Sequence, residues 1–208
     1  MDLKRMVENM NNNFKLAYEN RRSIYAIGKE SRVSKEEISS IVNHAVQYVP
    51  SAFNSQSSRV VVLLGENHDK LWNITRETLR KMIPEGSFAS TNEKMDAFQN
   101  GYGTLLFFED QAVVEGLQEQ FALYKDNFPI WSLQSSGMLQ FTIWVSLEEA
   151  GLGASLQHYN PLIDDLVKAQ WNLPDKWKLL AQMPFGNPKE TPSEKEFSPL
   201  ESRVKVFE

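Results

Sequence analysis

The chain has 208 residues, 41% hydrophobic and 24% charged, a balance that excludes disorder and fibrous structure and leaves length for one sizeable core. Its 27 acidic against 22 basic side chains give a net charge of -5, which speaks against nucleic acid as a partner, because affinity for a polyanion comes mostly from neutralised phosphates. With no cysteine, disulfides, thiolate nucleophiles, iron–sulfur clusters and thiolate-bound zinc are excluded together, and a reducing, cytoplasmic compartment is the expectation.

The N-terminus mixes both charge signs and runs into Asn11-Asn12-Asn13, so no apolar segment of the signal-peptide kind is read there. From Asp2 to Glu19 apolar residues on helical spacing predict a helix that leads into Arg21-Arg22-Ser23. Ser34 followed by Glu36-Glu37 has the hydroxyl cap and acidic first turn of a second helix. Its inner face is Ile38, Ile41, Val42, Ala45 and Val46, and Pro50 stops it. Val60 to Leu64, closed by Gly65, predicts a buried central strand, and Asp69 to Met82 a third helix. Thr104 to Phe108 repeats the strand pattern and Ala112 to Leu123 the helix. Ser132 to Ala150 is apolar nearly all round, as expected of a central or dimer-interface helix. Its most apolar window, Met138 to Leu147, is about half the length needed to span a bilayer and ends in Glu148-Glu149, and no membrane partner is expected. Short strands at Ala154–Gln157 and Lys178–Met183 flank a helix from Leu162 to Trp171, and Pro184-Phe185-Gly186-Asn187-Pro188 reads as the end of the second strand. Val204-Lys205-Val206-Phe207 alternates like an edge or exchanged strand. With no internal repeat and no linker, residues 1–208 read as a single α+β domain.

Several familiar chemistries fail on inspection. Gly151-Leu152-Gly153 opens like a dinucleotide fingerprint, but Leu156 occupies the third glycine position and a helix precedes it where a strand is required; a helix C-terminal stop is the better reading. Gly153-Ala154-Ser155-Leu156-Gln157 lacks the final glycine of a nucleophile elbow. His44, His68 and His158 show no i, i+4 pair, so no zinc site is expected, and there is no phosphate-loop lysine motif. Glu148-Glu149 and Asp164-Asp165 are helix neighbours that point apart and form no acid/base dyad.

Three loops remain unusual: Arg21-Arg22-Ser23, Pro50-Ser51-Ala52-Phe53-Asn54-Ser55-Gln56, and Gly151 to His158, with Arg203 near the C-terminus. In order and spacing they resemble the nitroreductase-like FMN flavoproteins, and Asn92-Glu93-Lys94-Met95-Asp96-Ala97 is similar to that family's middle loop. The resemblance runs from about residue 14 to the C-terminus. The short chain and Tyr25 are similar to the compact subgroup related to yeast and lactic-acid-bacterial nitroreductase-like proteins.

The resemblance implies a nitroreductase-like FMN-binding fold, a central, mostly antiparallel sheet flanked by helices in an intertwined homodimer, with two FMN sites built from both chains. The residue types agree. A flavin phosphate is a dianion suited to forked guanidinium groups and hydroxyls, and Arg21, Ser23 and Arg203 are expected to hold it. Ser51, Asn54 and Gln56 suit the pyrimidine edge or the ribityl hydroxyls. By resemblance Pro50, Ser51 and Ala52 come from the partner subunit, and Asn92 addresses the same edge. The stretch matching Gln157-His158 lies beside the flavin N5 edge, where a backbone N–H suffices. Two positions depart from the family's pattern. Tyr25 stands where a Lys or Arg is common, so either Arg22 supplies that charge or the flavin is harder to reduce. Glu201 stands where a second phosphate-binding cation is common, with Lys205 or Arg22 as replacements.

Phe121, Tyr124, Phe128 and Trp131 cluster at a helix end, either as core or as the wall of a substrate pocket. The implied activity is an FMN-dependent NAD(P)H oxidoreductase working by ping-pong hydride transfer. It would take NADH or NADPH as donor and nitroaromatics, quinones or similar conjugated electrophiles as acceptors, with no obligatory catalytic side chain. The competing readings are a flavin-binding regulatory or storage protein with little turnover, and a helical interaction protein without cofactor.

Overall fold

The apolar run Thr104 to Phe108 calls for cover on both sides, and the computed structural model, which describes residues 14–208, places it at the centre of a five-stranded sheet. The strands are β1 (Ile27–Gly28), β2 (Ser58–Leu64), β3 (Gly103–Asp110), β4 (Gly153–Ala154) and β5 (Trp177–Pro188). Their order is β1-β5-β3-β2, with β4 also paired to β5, and each of these pairings is antiparallel. Residues 14–20 are helical. The later helices are α1 (Lys35–Tyr48), α2 (Glu66–Arg80), α3 (Ala89–Gln99), α4 (Gln111–Gln120), α5 (Phe128–Glu149) and α6 (Asp164–Trp171). Among the described residues no helix is long and apolar enough to cross a membrane.

The sheet separates two cores. On one face Ile38, Val42 and Ala45 of α1 and Leu139, Ile143 and Leu147 of α5 pack on Leu105, Phe107, Ala181, Met183 and Phe185. Helix α1 begins as its sequence predicts: the Ser34 hydroxyl accepts from the Glu37 N–H at 3.1 Å, and the Glu37 carboxylate accepts from the Ser34 N–H at 2.7 Å. On the other face Leu71 and Trp72 of α2, Met95 and Phe98 of α3, and Ile163 and Val167 near α6 cover Leu106, Phe108 and Leu179. A polar network is sealed into this second core. The Trp72 indole N–H donates to the Thr104 hydroxyl oxygen at 3.0 Å, leaving the hydroxyl proton for His68 Nδ1 at 2.8 Å. His68 Nε2 then donates to the Gln99 carbonyl at 3.2 Å, so the neutral ring is fully used.

Between Phe107 and Phe108 the β3–β5 register shifts: Phe107 faces Ala181 and Phe108 faces Leu179, so Leu180 opposes nothing. This bulge moves β5 by half a pleat, putting Leu179 in one core and Ala181 in the other.

Several expectations are corrected. The Val60–Leu64 strand lies at the edge of the sheet, outside β3, where a central position was expected; its continuous apolar run reflects cover on both faces, Val60, Val62 and Leu64 packing on one core and Val61 and Leu63 on the other. β5 does not stop at Pro184 but continues to Pro188. The Pro184 carbonyl still accepts the Ser155 N–H at 3.3 Å, and Gly186 is required because a Cβ there would lie 2.4 Å from the Gly28 carbonyl oxygen. Asn92 to Ala97, read as a loop, is the body of α3. Val204 to Phe207, read as an edge or exchanged strand, is exposed and forms no strand within this chain. The predicted first helix lies outside the described residues as far as residue 13 and is helical from 14 to 20.

Candidate functional site

Two of the three unusual loops meet. Helix α5 ends in a Schellman motif: Gly151, at φ +76°, donates to the Glu148 carbonyl, and Leu152 donates to that of Leu147, both at 2.9 Å. This stop reading of Gly151 turns the chain into β4. Beside it Ser23 bridges Ala154 in parallel, the Ile24 N–H donating to the Ala154 carbonyl at 3.0 Å. Gly153 is a contact requirement, since a Cβ there would meet Ile24 Cγ2 at 2.9 Å. The arginine pair is thereby fixed against the end of α5.

Arg21, Arg22, Ser23 and Tyr25 line one open cleft of about 480 Å³ together with Glu190, Thr191, Pro192, Ser193 and Lys195. The Arg21 guanidinium carbon sits 4.3 Å over the Trp144 ring, and Arg21 Nε is buried without a hydrogen-bond partner among the described residues. Burial and the adjacent Arg22 both act against the charge on Arg21, and Glu148 on α5 acts for it. A buried N–H without an acceptor is costly in a resting protein and suits a missing anion. The site therefore fits a flavin phosphate: Arg21 supplies an unspent donor, Ser23 a hydroxyl, and Arg22 and Lys195 further positive charge. Glu190 is the one opposing charge in the lining.

The third loop stands elsewhere in the chain. Pro50, Ser51 and Gln56 line a separate cavity of about 350 Å³ with Asn43, Arg59 and Trp177. Pro50, Ser51, Ala52 and Phe53 line another of about 480 Å³ against Trp131, Gln134 and Met138. The loop is strained: Phe53, Asn54 and Gln56 have φ of 56°, 50° and 48°, a region costing a non-glycine residue about 1–2 kcal/mol. Several contacts hold it. The Ser51 hydroxyl accepts from the Gln56 N–H at 2.9 Å, and Arg59 donates to the Gln56 carbonyl at 2.6 Å and to Asp110 at 3.0 Å. The Phe53 ring stacks on Trp131 at 5.9 Å and touches Phe121 and Phe128 at 5.0 and 5.3 Å. At the loop's base Glu109 is fully buried. One carboxyl oxygen is 3.3 Å from the Ser58 hydroxyl, the other has no partner among the described residues, and burial pushes its pKa above the ordinary value.

The remaining sequence candidates are dispersed. Asn92 sits on α3, its side-chain amide donating to Asp96 at 3.0 Å, so the structure occupies it within the helix. The Gln157 N–H donates to the Gln182 carbonyl at 2.7 Å, and that of Tyr159 to the Gln182 side chain at 2.7 Å, with exposed His158 between them. Arg203 and Lys205 lie exposed on the tail after the short turn Leu200–Ser202. Phe53 and Trp144 escaped the sequence reading as site residues. An aromatic inside an otherwise small and polar loop was the available signal for Phe53; Trp144 gave none, being one apolar residue in an apolar helix.

An αβ scaffold with an arginine pair locked against the end of its longest helix describes a class of cofactor-binding proteins, and comparison identifies which. Residues 18–187 match the nitroreductase family, and the chain belongs to it. HBN1 of Saccharomyces cerevisiae is 35% identical over 189 residues, covering 90% of this chain and 93% of the relative. The structure of the nitroreductase CinD from Lactococcus lactis in complex with chloramphenicol superposes with a TM-score of 0.85 at 47% identity, covering 94% of this chain and all of that one; CinD is also known in complex with 4-nitrophenol. A Desulfovibrio desulfuricans structure in complex with FMN, 18% identical, shares the fold at a TM-score of 0.67 over 94% of this chain and 98% of that one.

Proposed function

We propose that the chain, as one FMN-binding domain in a homodimer, is an FMN-dependent NAD(P)H oxidoreductase that reduces nitroaromatics, quinones or similar conjugated electrophiles by ping-pong hydride transfer. The observation that carries this is the Ser23–Ala154 bridge, which joins Arg21–Tyr25 to the Gly153–His158 segment, the two stretches the sequence assigns to a single flavin. Membership of a family of nitroreductases and the aromatic ligands of CinD support the oxidoreductase reading and its substrate class.

When bound, FMN supplies the two-electron chemistry between nicotinamide donor and acceptor. Arg21 and Ser23 hold its phosphate, with Arg22 and Lys195 adding field from the same cleft. Arg203 and Lys205 join them when the tail is placed by the dimer. His158 offers the backbone N–H of its stretch, since the donors on both sides are spent on Gln182. Ser51, Asn54 and Gln56 reach the flavin from the partner, which accounts for their separation from Arg21 within one chain. The Phe53–Trp131 cluster walls the space where a flat acceptor enters.

The dimer reading is supported by helix α5. Ile130, Leu133, Met138 and Phe141 fall on one exposed stripe, about half of each side chain open to solvent, beside the cavity lined by Pro50 to Phe53. A second copy of the helix covers that stripe and brings the two half-sites together. The need for a nicotinamide donor goes with a cytoplasmic location.

The test is an absorption spectrum of the purified protein with added FMN, followed by NADH and NADPH under nitrogen and then a nitroaromatic in air-free buffer. Flavin bands that bleach with nicotinamide and return with the acceptor are expected. Bands that persist with both donors would move the protein to a flavin-binding role without turnover, and no flavin bands at all would remove the cofactor reading.

A further inference from the structure

We propose that Trp144 of α5 is a positioning residue for the flavin phosphate, acting through Arg21: its ring carries the guanidinium and leaves the N–H edge free for the anion. This rests on the reading of Arg21 as a phosphate ligand.

The geometry is specific. Arg21 Cζ lies 4.3 Å over the Trp144 ring centroid, inside the distance at which an aromatic face attracts a cation. A guanidinium presents all its donors around its rim in one plane, so contact through its central carbon spends none of them. The buried, unpartnered Arg21 Nε fits this arrangement, being a donor held in place with no acceptor among the described residues. No carboxylate of the described residues comes within salt-bridge distance of Arg21; Glu148 favours its charge from beyond that distance, and the adjacent Arg22 opposes it. A carboxylate in that place would compete with phosphate for the same N–H groups, which a π face does not do.

Trp144 is itself well fixed. It is half-buried against the core formed by Leu139, Ile143, Leu147 and Met183, on a helix whose end is tied to the arginine loop through the Ser23–Ala154 bridge. Ring, guanidinium and backbone bridge therefore form one rigid unit, and the side chain of Arg21 loses little freedom when the phosphate arrives.

The test uses the full chain stripped of flavin and titrated with FMN and with riboflavin, which lacks the phosphate, followed by quenching of flavin fluorescence. Trp144→Leu is expected to weaken FMN on the order of tenfold while riboflavin stays within about twofold, and Trp144→Phe to restore most of the loss. In a double-mutant cycle Trp144→Leu adds nothing to Arg21→Met, because the methionine has already removed the cation that the ring holds. Should Trp144→Leu fail to fold, Trp144→Phe alone is expected to weaken FMN selectively by about twofold.

Equal losses for FMN and riboflavin, unchanged FMN affinity, or additive effects in the cycle would each overturn the inference and leave the flavin reading standing. A wild-type protein that binds neither flavin overturns both.

Discussion

On the α2, α3 and α6 face of the sheet, the His68–Thr104–Trp72 network closes on itself with donors and acceptors matched. On the α1 and α5 face a row of apolar side chains points away from the core, three residues of one loop sit in left-handed backbone, and an arginine N–H lacks an acceptor. Both faces are built from the same strands. The difference teaches that the polar network at the centre of one face is satisfied within a single chain, while the other face carries a strained loop and an exposed apolar stripe that the proposed second copy and cofactor would complete.

The comparison breaks most visibly at α5. Phe141→Glu puts a charge in the middle of the exposed stripe. If a second copy covers that stripe, the substitution costs about 2–4 kcal/mol of association, read as dissociation to monomers in analytical ultracentrifugation with loss of flavin. A variant that keeps the wild-type sedimentation and flavin content would leave the stripe as mere surface.

On the closed face Thr104→Val strands the Trp72 N–H and the His68 nitrogen together. A loss of about 1–3 kcal/mol of stability in urea unfolding is expected, with FMN affinity unchanged. A matching loss of flavin affinity would mean that the two faces are not separable.

The smallest effects are those of pH, and the two faces carry opposite signs. Burial holds His68 below the ordinary 6.5, so as pH falls below that value the unfolded chain takes up a proton that the folded one refuses, and stability drops. Burial holds Glu109 above the ordinary 4.5; its contribution is complete below that pH and is lost as pH rises through the folded value. Glu109→Gln keeps the shape and removes the titrating group, and is expected to raise the melting temperature by about 2–4 °C at pH 8 and to flatten the fall in stability as pH rises above the ordinary carboxyl value. A lower melting temperature at pH 8 would show that the charged form is what the loop needs.

The sequence revealed those features whose cause is local. Ser34 with Glu37 announced α1 because a capping box involves only adjacent residues, and Gly151 announced the end of α5 because a left-handed cap needs a residue without a Cβ. Helix α3 was hidden: Met95 and Phe98 are its buried side chains, too few to give a periodic stripe, and Asn92 to Asp96 reads as polar loop. The edge position of β2 was equally illegible, since Val60 to Leu64 would read the same at the centre. Of the site, the arginine pair and the Gly153 segment were recognisable as motifs, and the structure joins them through Ser23. Trp144 could not be singled out, because its role depends on where Arg21 falls in space.

Leu180 carries a consequence of its own. Along β5, Trp177, Leu179, Ala181, Met183 and Phe185 occupy every second position, which in an ordinary strand would turn them all the same way. The unpaired Leu180 instead splices two half-strands of opposite phase: Trp177 and Leu179 serve one layer, Ala181 to Phe185 the other. Deleting this one residue would make Leu179 and Ala181 neighbours on opposite sides, still facing Phe108 and Phe107, so every side chain would keep its layer, whereas an extra residue elsewhere in the paired strand would exchange the layers beyond it. The strand therefore behaves as a ruler with a built-in offset, and Leu180 is the position at which its length can change by one residue without turning its neighbours over.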